Sequence, residues 1–372
     1  LLKKRKVKFM TTNDDILFDQ KGHVGLITLN RPKALNALNH GMAVALHKQL
    51  DIWAVDDTVH AVVITGAGEK GFCAGGDVVS LYHSGLKWKE GGDAASTDWR
   101  DFFHDEYLMN SAIHHFPKPY IAIMDGITMG GGVGVSVHGS HRIATERTMM
   151  AMPETGLGLI PDVGGGYFLP RLPGETGMFL ALKGERVKAA DCLYLGICHA
   201  FMTSDTIEAF IETLASFETI NDQVIAEVIA TFAGTPEGGR IEAQREDIDR
   251  LFAGDSLDQI FTNLENDAKT ENGEWAMGQL AKLKKMSPTS MKVTFEQLKR
   301  GKSLDFNDNL INEFRAVCQI MTQTDFYEGV RAILLDKDMA PKWNPTGFDG
   351  VTSEIVDAHF ASRMGDKKEL DI

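Results

Sequence analysis

The apolar positions change their period along the chain. Over residues 23–30 (HVGLITLN) they alternate and are rich in β-branched side chains, which predicts a strand. Over 39–53, Met42, Ala45, Leu46, Leu50 and Trp53 recur at helical spacing. The runs 60–65 (HAVVIT) and 119–124 are continuously apolar, as in a strand covered on both faces. Helices are predicted from Asp77 onward, over 98–115, and from the glycines at 130–132 to about His138. A polar loop is predicted at 87–97, and short strands at 142–144 and 149–152. Repeated strand–helix alternation predicts parallel βαβ units.

After about Thr203 the period is helical throughout. Helices are expected over 207–217, 222–232, 241–252 and 275–285, and another starts with Ser287 as N-cap and Pro288 at its first position. No second β-rich domain and no repeat is expected in this half.

Composition narrows the picture. A chain of 372 residues with 43% apolar and 24% charged residues fits one large α/β domain with a helical extension. The net charge of −14 repels phosphate backbones, so no nucleic-acid partner is expected. A phosphate-bearing ligand would need local lysines or backbone N–H donors. Cys73, Cys192, Cys198 and Cys318 form no CxxC pair and no secreted disulfide framework. The expected setting is therefore reducing: cytoplasmic, or the mitochondrial matrix for a eukaryotic source. No apolar run reaches a membrane span of about 18–20 residues, so no membrane partner is expected. Residues 1–8 are basic without an apolar core, which is not a secretory signal; an upstream extension or a transit-peptide fragment are both open for 1–9. The histidines at 114–115, 138 and 141 lack acid or Cys partners at ligand spacing, and no metal is expected.

Three glycine-rich segments carry the candidate chemistry: 71–77 (GFCAGGD), 125–134 (DGITMGGGVG) and 152–166 (MPETGLGLIPDVGGG). Each is expected just beyond a strand's C-terminal end, where α/β folds place ligands. A backbone N–H approaches a substrate oxygen closely only where no Cβ intervenes, and two such donors aimed at one point stabilise an oxyanion. Tight turns alone would also explain the glycines. GGG is not the dinucleotide fingerprint, since it follows a later strand and no matching acidic residue is identifiable. Cys73 has no recognisable His partner and reads as a packing residue.

Together with the run 152–172 (MPETGLGLIPDVGGGYFLPRL), these motifs resemble the crotonase, or enoyl-CoA hydratase/isomerase, superfamily. Residues 29–38 (LNRPKALNAL) resemble its CoA-binding opening segment. The stretch 128–139 (TMGGGVGVSVHG), the run 151–172 and the long helical tail are most similar to its 3-hydroxyisobutyryl-CoA hydrolases. The resemblance implies an α/β, crotonase-type ββα spiral as an acyl-CoA-binding core over 13–201, and a C-terminal helical region over 202–372 covering the site. It implies hydrolysis of 3-hydroxyisobutyryl-CoA to 3-hydroxyisobutyrate and CoA in valine breakdown. No cofactor is expected beyond the coenzyme A that the substrate carries. The partner is the acyl-CoA itself; a homo-oligomer is possible, as in other crotonases.

Carried over by position, the N–H groups of Gly76 and Gly131 form the oxyanion hole. Lys33, Ala34, Leu35, Ala74, Gly75 and Asp77 bind CoA, with Lys33 available to a phosphate. Glu154 and Asp162 are catalytic, and Glu106, Gly131, Glu154 and Asp162 contact the acyl group. Without the resemblance, Asp162 could equally be a helix N-cap and Glu106 a solvated helix residue. Gly134 departs from the hydratase pattern, which has a catalytic Glu three residues after the oxyanion glycine; one of two carboxylates for water addition is therefore missing. Two alternatives remain: an enoyl-CoA hydratase or isomerase of the same fold, since an isomerase can use a single base, and a non-catalytic crotonase-fold binder.

Overall fold

The computed structural model describes residues 14–362 and 369–372; the basic stretch 1–8 and the question of residues 1–9 lie outside the described residues. Among the described residues ten strands form two sheets: β1 (Ile16–Lys21), β2 (Val24–Leu29), β3 (Ala61–Gly66), β4 (Gly71–Cys73), β5 (Tyr120–Met124), β6 (Ile127–Met129), β7 (His141–Ala144), β8 (Met149–Ala151), β9 (Val187–Lys188) and β10 (Ala200–Phe201). The larger sheet runs β1-β2-β3-β5-β7-β10. It is parallel from β2 to β10, as the βαβ pattern requires, and only the hairpin β1–β2 is antiparallel. The smaller sheet runs β4-β6-β8-β9, parallel except at its β8–β9 edge.

The parallel strands are short and apolar on both faces. In β5 all five residues are buried, and β3 buries Ala61, Val62, Val63 and Ile64. The strands come in consecutive pairs, β3–β4, β5–β6 and β7–β8, the first of each pair in the larger sheet and the second in the smaller, with helices between the pairs. The helix Asp98–His114 follows the expected range almost residue for residue. Two expectations need correction. The polar loop starts later than expected, because the helix Val78–Gly91 continues through Lys87 and ends where Gly92 takes φ 65. The helix expected from 130 to 138 is only Gly131–Gly134, followed by tight turns.

Beyond β10 the described residues hold helices and no strand. Among them, Pro288–Gly301 is capped as expected, Ser287 Oγ accepting the Ser290 N–H at 3.1 Å. The helices Leu257–Asp267 and Phe306–Thr322 were not expected. The halves of the chain share one core: Trp99, Phe103 and Tyr107 pack in the same buried cluster as Phe252, Phe314 and Phe326.

Candidate active site

The three glycine-rich segments meet around one cavity of about 300 Å³. Gly75 and Gly76 line one side, Gly130 and Gly131 the next, and Glu154 and Asp162 the third; Glu106 enters from the helix Asp98–His114. Leu81, Phe102, Phe103, Leu157 and Leu159 add apolar wall, and Arg186 also lines the cavity. Ile333 and Leu334, from a π-helical turn Arg331–Leu335, close it from the C-terminal region.

The glycines are required here by space. A Cβ on Gly131 would lie 2.5 Å from Glu106 Oε1 and 3.2 Å from the Gly76 nitrogen. The two peptide segments are thus neighbours, and neither glycine N–H makes an internal hydrogen bond among the described residues. The Gly76 loop is held from behind: the Leu38 N–H donates to Gly75 O at 2.8 Å and the Asp77 N–H to Leu38 O at 2.8 Å. Two free N–H groups on fixed backbones are what an oxyanion hole needs.

Each acid comes from a different element. Glu106, Glu154 and Asp162 are all buried. Glu106 Oε1 and Glu154 Oε2 have no hydrogen-bond partner, whereas Asp162 Oδ2 accepts the Tyr107 hydroxyl at 2.7 Å. Burial pushes Glu106 well above the usual carboxylate range, and the charges of Asp162 and Glu154 push it further. Burial and then the Asp162 charge do the same to Glu154. Asp162 rises only to about 6, because the Tyr107 hydrogen bond works against burial. Orphaned polar atoms in a core cost about 1–3 kcal/mol each. Two of them facing one cavity mark a place built for a polar ligand rather than for stability.

Gly134 does more than omit a carboxylate. A Cβ there would lie 2.7 Å from Val163 Cβ and 2.8 Å from Asn110 Nδ2, so the space is filled. Cys73 is pushed up to about 12 by burial, which keeps it a thiol and fits a packing role. His138 is buried, its pKa pushed down to about 3, and it bonds the Val163 carbonyl at 2.6 Å. Among the described residues no three His, Cys, Asp or Glu side chains gather to hold a metal, and no helix is long and apolar enough to cross a membrane.

The expected CoA residues divide into two groups. Ala74 and Gly75 line the acid cavity, while Lys33 and Leu35 line a second cavity of about 460 Å³ with Lys70. The two adjoin where the Ala74 N–H donates to Leu35 O at 3.0 Å. Ala34 sits in the short 3-10 turn Pro32–Ala34, whose Pro32 and Lys33 line the second cavity. Leu35 and Asn36 are left-handed, at φ 50 and 58, and Asn36 fixes that turn by donating to Ala67 O and Gly71 O. Asp77 is already engaged: it caps the helix Val78–Gly91 and pairs with Arg31 at 3.1 Å.

Four residues with a stake in the site were missed from the sequence. Tyr107 and Asn110 share a helix with Glu106; Asn110, four residues on, stands on the same face and that spacing was a usable signal, whereas Tyr107, the next residue, gave none. Val163, at φ 51, and Glu313, which bonds the Gly164 and Gly166 N–H groups, gave none.

A sequence profile described as Enoyl-CoA hydratase/isomerase matches residues 24–360. Similar curated proteins include a protein of Danio rerio named 3-hydroxyisobutyryl-CoA hydrolase, mitochondrial, 43% identical over 96% of this chain and 92% of that one. A Xenopus laevis protein of the same name is 44% identical over 93% and 88%. Among solved structures, one titled as a carnitinyl-CoA dehydratase from Mycobacterium thermoresistibile superposes with a TM-score of 0.85 at 39% identity, over 96% of this chain and 99% of that one.

Proposed function

The chain belongs to the enoyl-CoA hydratase/isomerase family, and from that premise we propose that it hydrolyses 3-hydroxyisobutyryl-CoA to 3-hydroxyisobutyrate and free CoA, the thioester-cleaving step of valine breakdown. The curated relatives named above carry that activity in their names over nearly the full chain. The observation that carries the reading is the contrast between Gly134 and the three acids. Where a hydratase needs its first carboxylate, packed side chains leave no room, while three other carboxyls converge on one cavity.

In this reading the Gly76 and Gly131 N–H groups hold the thioester oxygen as it gains charge. Glu154 acts as a carboxylate, by attacking the carbonyl carbon to give a mixed anhydride that water then cleaves, or by taking a proton from the attacking water. The C–S bond breaks and CoA leaves as a thiolate that takes up a proton. Asp162, the acid least raised by its surroundings, relays or positions that proton. Glu106, with its unpartnered oxygen, takes the substrate's hydroxyl. Lys33 meets a phosphate of the CoA nucleotide, and the backbone at Ala34, Leu35, Ala74 and Gly75 lies along its path; Asp77 contributes through the helix it caps. No cofactor enters the reaction.

The core over 13–201 binds acyl-CoA in this proposal and the region 202–372 covers it, with Ile333 and Leu334 against the acyl end. The compartment is reducing, cytoplasmic or the mitochondrial matrix; the two vertebrate relatives are named as mitochondrial. The solved neighbour titled as a dehydratase keeps a second reading in play, loss of water from a hydroxyacyl-CoA. Product identification separates the two. Incubation with 3-hydroxyisobutyryl-CoA is expected to yield free acid and thiol; the unsaturated thioester with CoA still attached would overturn the proposal.

A further inference from the structure

Glu313 stands on the helix Phe306–Thr322, 149 residues from the segment it touches, and is fully buried. Its Oε2 accepts the Gly164 N–H at 2.8 Å and its Oε1 the Gly166 N–H at 2.8 Å. Asn309 Nδ2 donates to Oε1 at 2.8 Å and Gln297 Nε2 at 3.1 Å. The same Gln297 amide nitrogen donates to Pro161 O at 2.7 Å, and His138 bonds Val163 O at 2.6 Å. The backbone is therefore gripped at 161, 163, 164 and 166, on both sides of Asp162.

That grip has something to hold. Val163 sits at φ 51, a region that β-branched residues avoid and that costs about 1–3 kcal/mol to occupy. Left alone, the turn would relax and carry Asp162 away from the Tyr107 hydroxyl. Glu313 does not line the cavity: its four donors are the Gly164 and Gly166 N–H groups, Asn309 on its own helix and Gln297 on the helix Pro288–Gly301.

We propose that Glu313 is a positioning residue for hydrolysis, its carboxylate fixing the strained 161–166 turn so that Asp162 stands in register for the proton it relays or positions. The helical region thus helps to build the reaction centre through a carboxylate that never touches substrate. This rests on the hydrolase reading, whose own test is turnover by the unaltered protein. Glu313→Gln keeps the shape but sets an NH2 group against a loop N–H. It is expected to lower kcat about 10-fold or more, in line with the cost of a small displacement at a reacting group, with KM for the thioester within two-fold and faster amide exchange over 162–168. A merely structural role would lower the melting temperature and leave kcat of the folded fraction unchanged, and that result would overturn the proposal. So would kcat within two-fold of the parent with unchanged exchange. Gln297→Ala, which leaves Glu313 in place, covers the case in which the first variant does not fold: it is expected to speed the same exchange and lower kcat less. Unchanged exchange and kcat in Gln297→Ala would also overturn the assignment. If the parent protein shows no thioester hydrolysis, the hydrolase reading fails by itself, and the exchange of 162–168 still decides whether Glu313 holds the turn.

Discussion

Glu313 and Glu154 are both buried carboxylates within a few residues' reach of Asp162, and they are treated in opposite ways. Glu313 accepts four hydrogen bonds, and burial pushes it up to about 8 against the pull of those donors. Glu154 and Glu106 each leave an oxygen without a partner and are pushed well above their ordinary values. A third pattern appears at Glu185, where Lys183 and Arg240 sit at 2.6 and 2.8 Å and the net shift is downward. Burial alone thus separates nothing. A carboxylate surrounded by donors is holding structure, whereas one aimed unpartnered into a cavity is kept at a cost in stability, as groups reserved for substrate are.

The sharpest way to break this contrast is at Glu154. Glu154→Gln keeps the shape and removes the charge, so acyl-CoA binding should change little while kcat falls about 10²-fold or more, the usual scale for losing a general base. Equilibrium binding beside steady-state kinetics checks it; near-normal turnover would move the reacting role to Asp162.

Next comes Glu106. If it binds the substrate hydroxyl, Glu106→Gln should weaken hydroxylated substrates by about 1–3 kcal/mol relative to plain acyl-CoA thioesters. Equal losses on both would make it structural. The same variant has a stability signature. Because the folded Glu106 holds its proton more tightly than the unfolded chain, its contribution is present below about pH 4.5 and lost as pH rises through the raised value. Glu106→Gln escapes that loss, so its melting temperature should gain on the parent's at pH 8 and not at pH 4.

The smallest effect is expected at Tyr107. Its hydroxyl holds Asp162 near 6 against the upward push of burial. Tyr107→Phe should move the acid limb of kcat/KM to higher pH, with a rate loss of only a few-fold at pH 8. A limb that stays in place would remove Asp162 from the titration that controls turnover.

The sequence made some of this legible and hid the rest for definite reasons. The strand expected at 60–65 is found as Ala61–Gly66, because a continuous apolar run between polar flanks has few other homes in a layered fold. The motifs located the cavity, since glycine at 76 and 131 answers a local demand for space. The second sheet was legible only in part: β8 was expected as the short strand at 149–152, whereas β6, three residues inside a glycine-rich motif, is too short to show a period. Val163 escaped because nothing in a valine announces φ 51. Glu313 escaped because the partners that tie it to the site are the backbone N–H groups of Gly164 and Gly166, 149 and 147 residues away, which carry no residue identity.

The most direct test of the whole account is a paired rate measurement on the unaltered protein. Free thiol release is followed with 3-hydroxyisobutyryl-CoA and with isobutyryl-CoA, which lacks only the hydroxyl, while loss of absorbance is followed with crotonyl-CoA. The unpartnered acids and the filled space at Gly134 predict rapid thiol release from the hydroxylated thioester, slower release from its deoxy counterpart, and no comparable hydration of crotonyl-CoA. Crotonyl-CoA consumed faster than thiol is released from either thioester would contradict it.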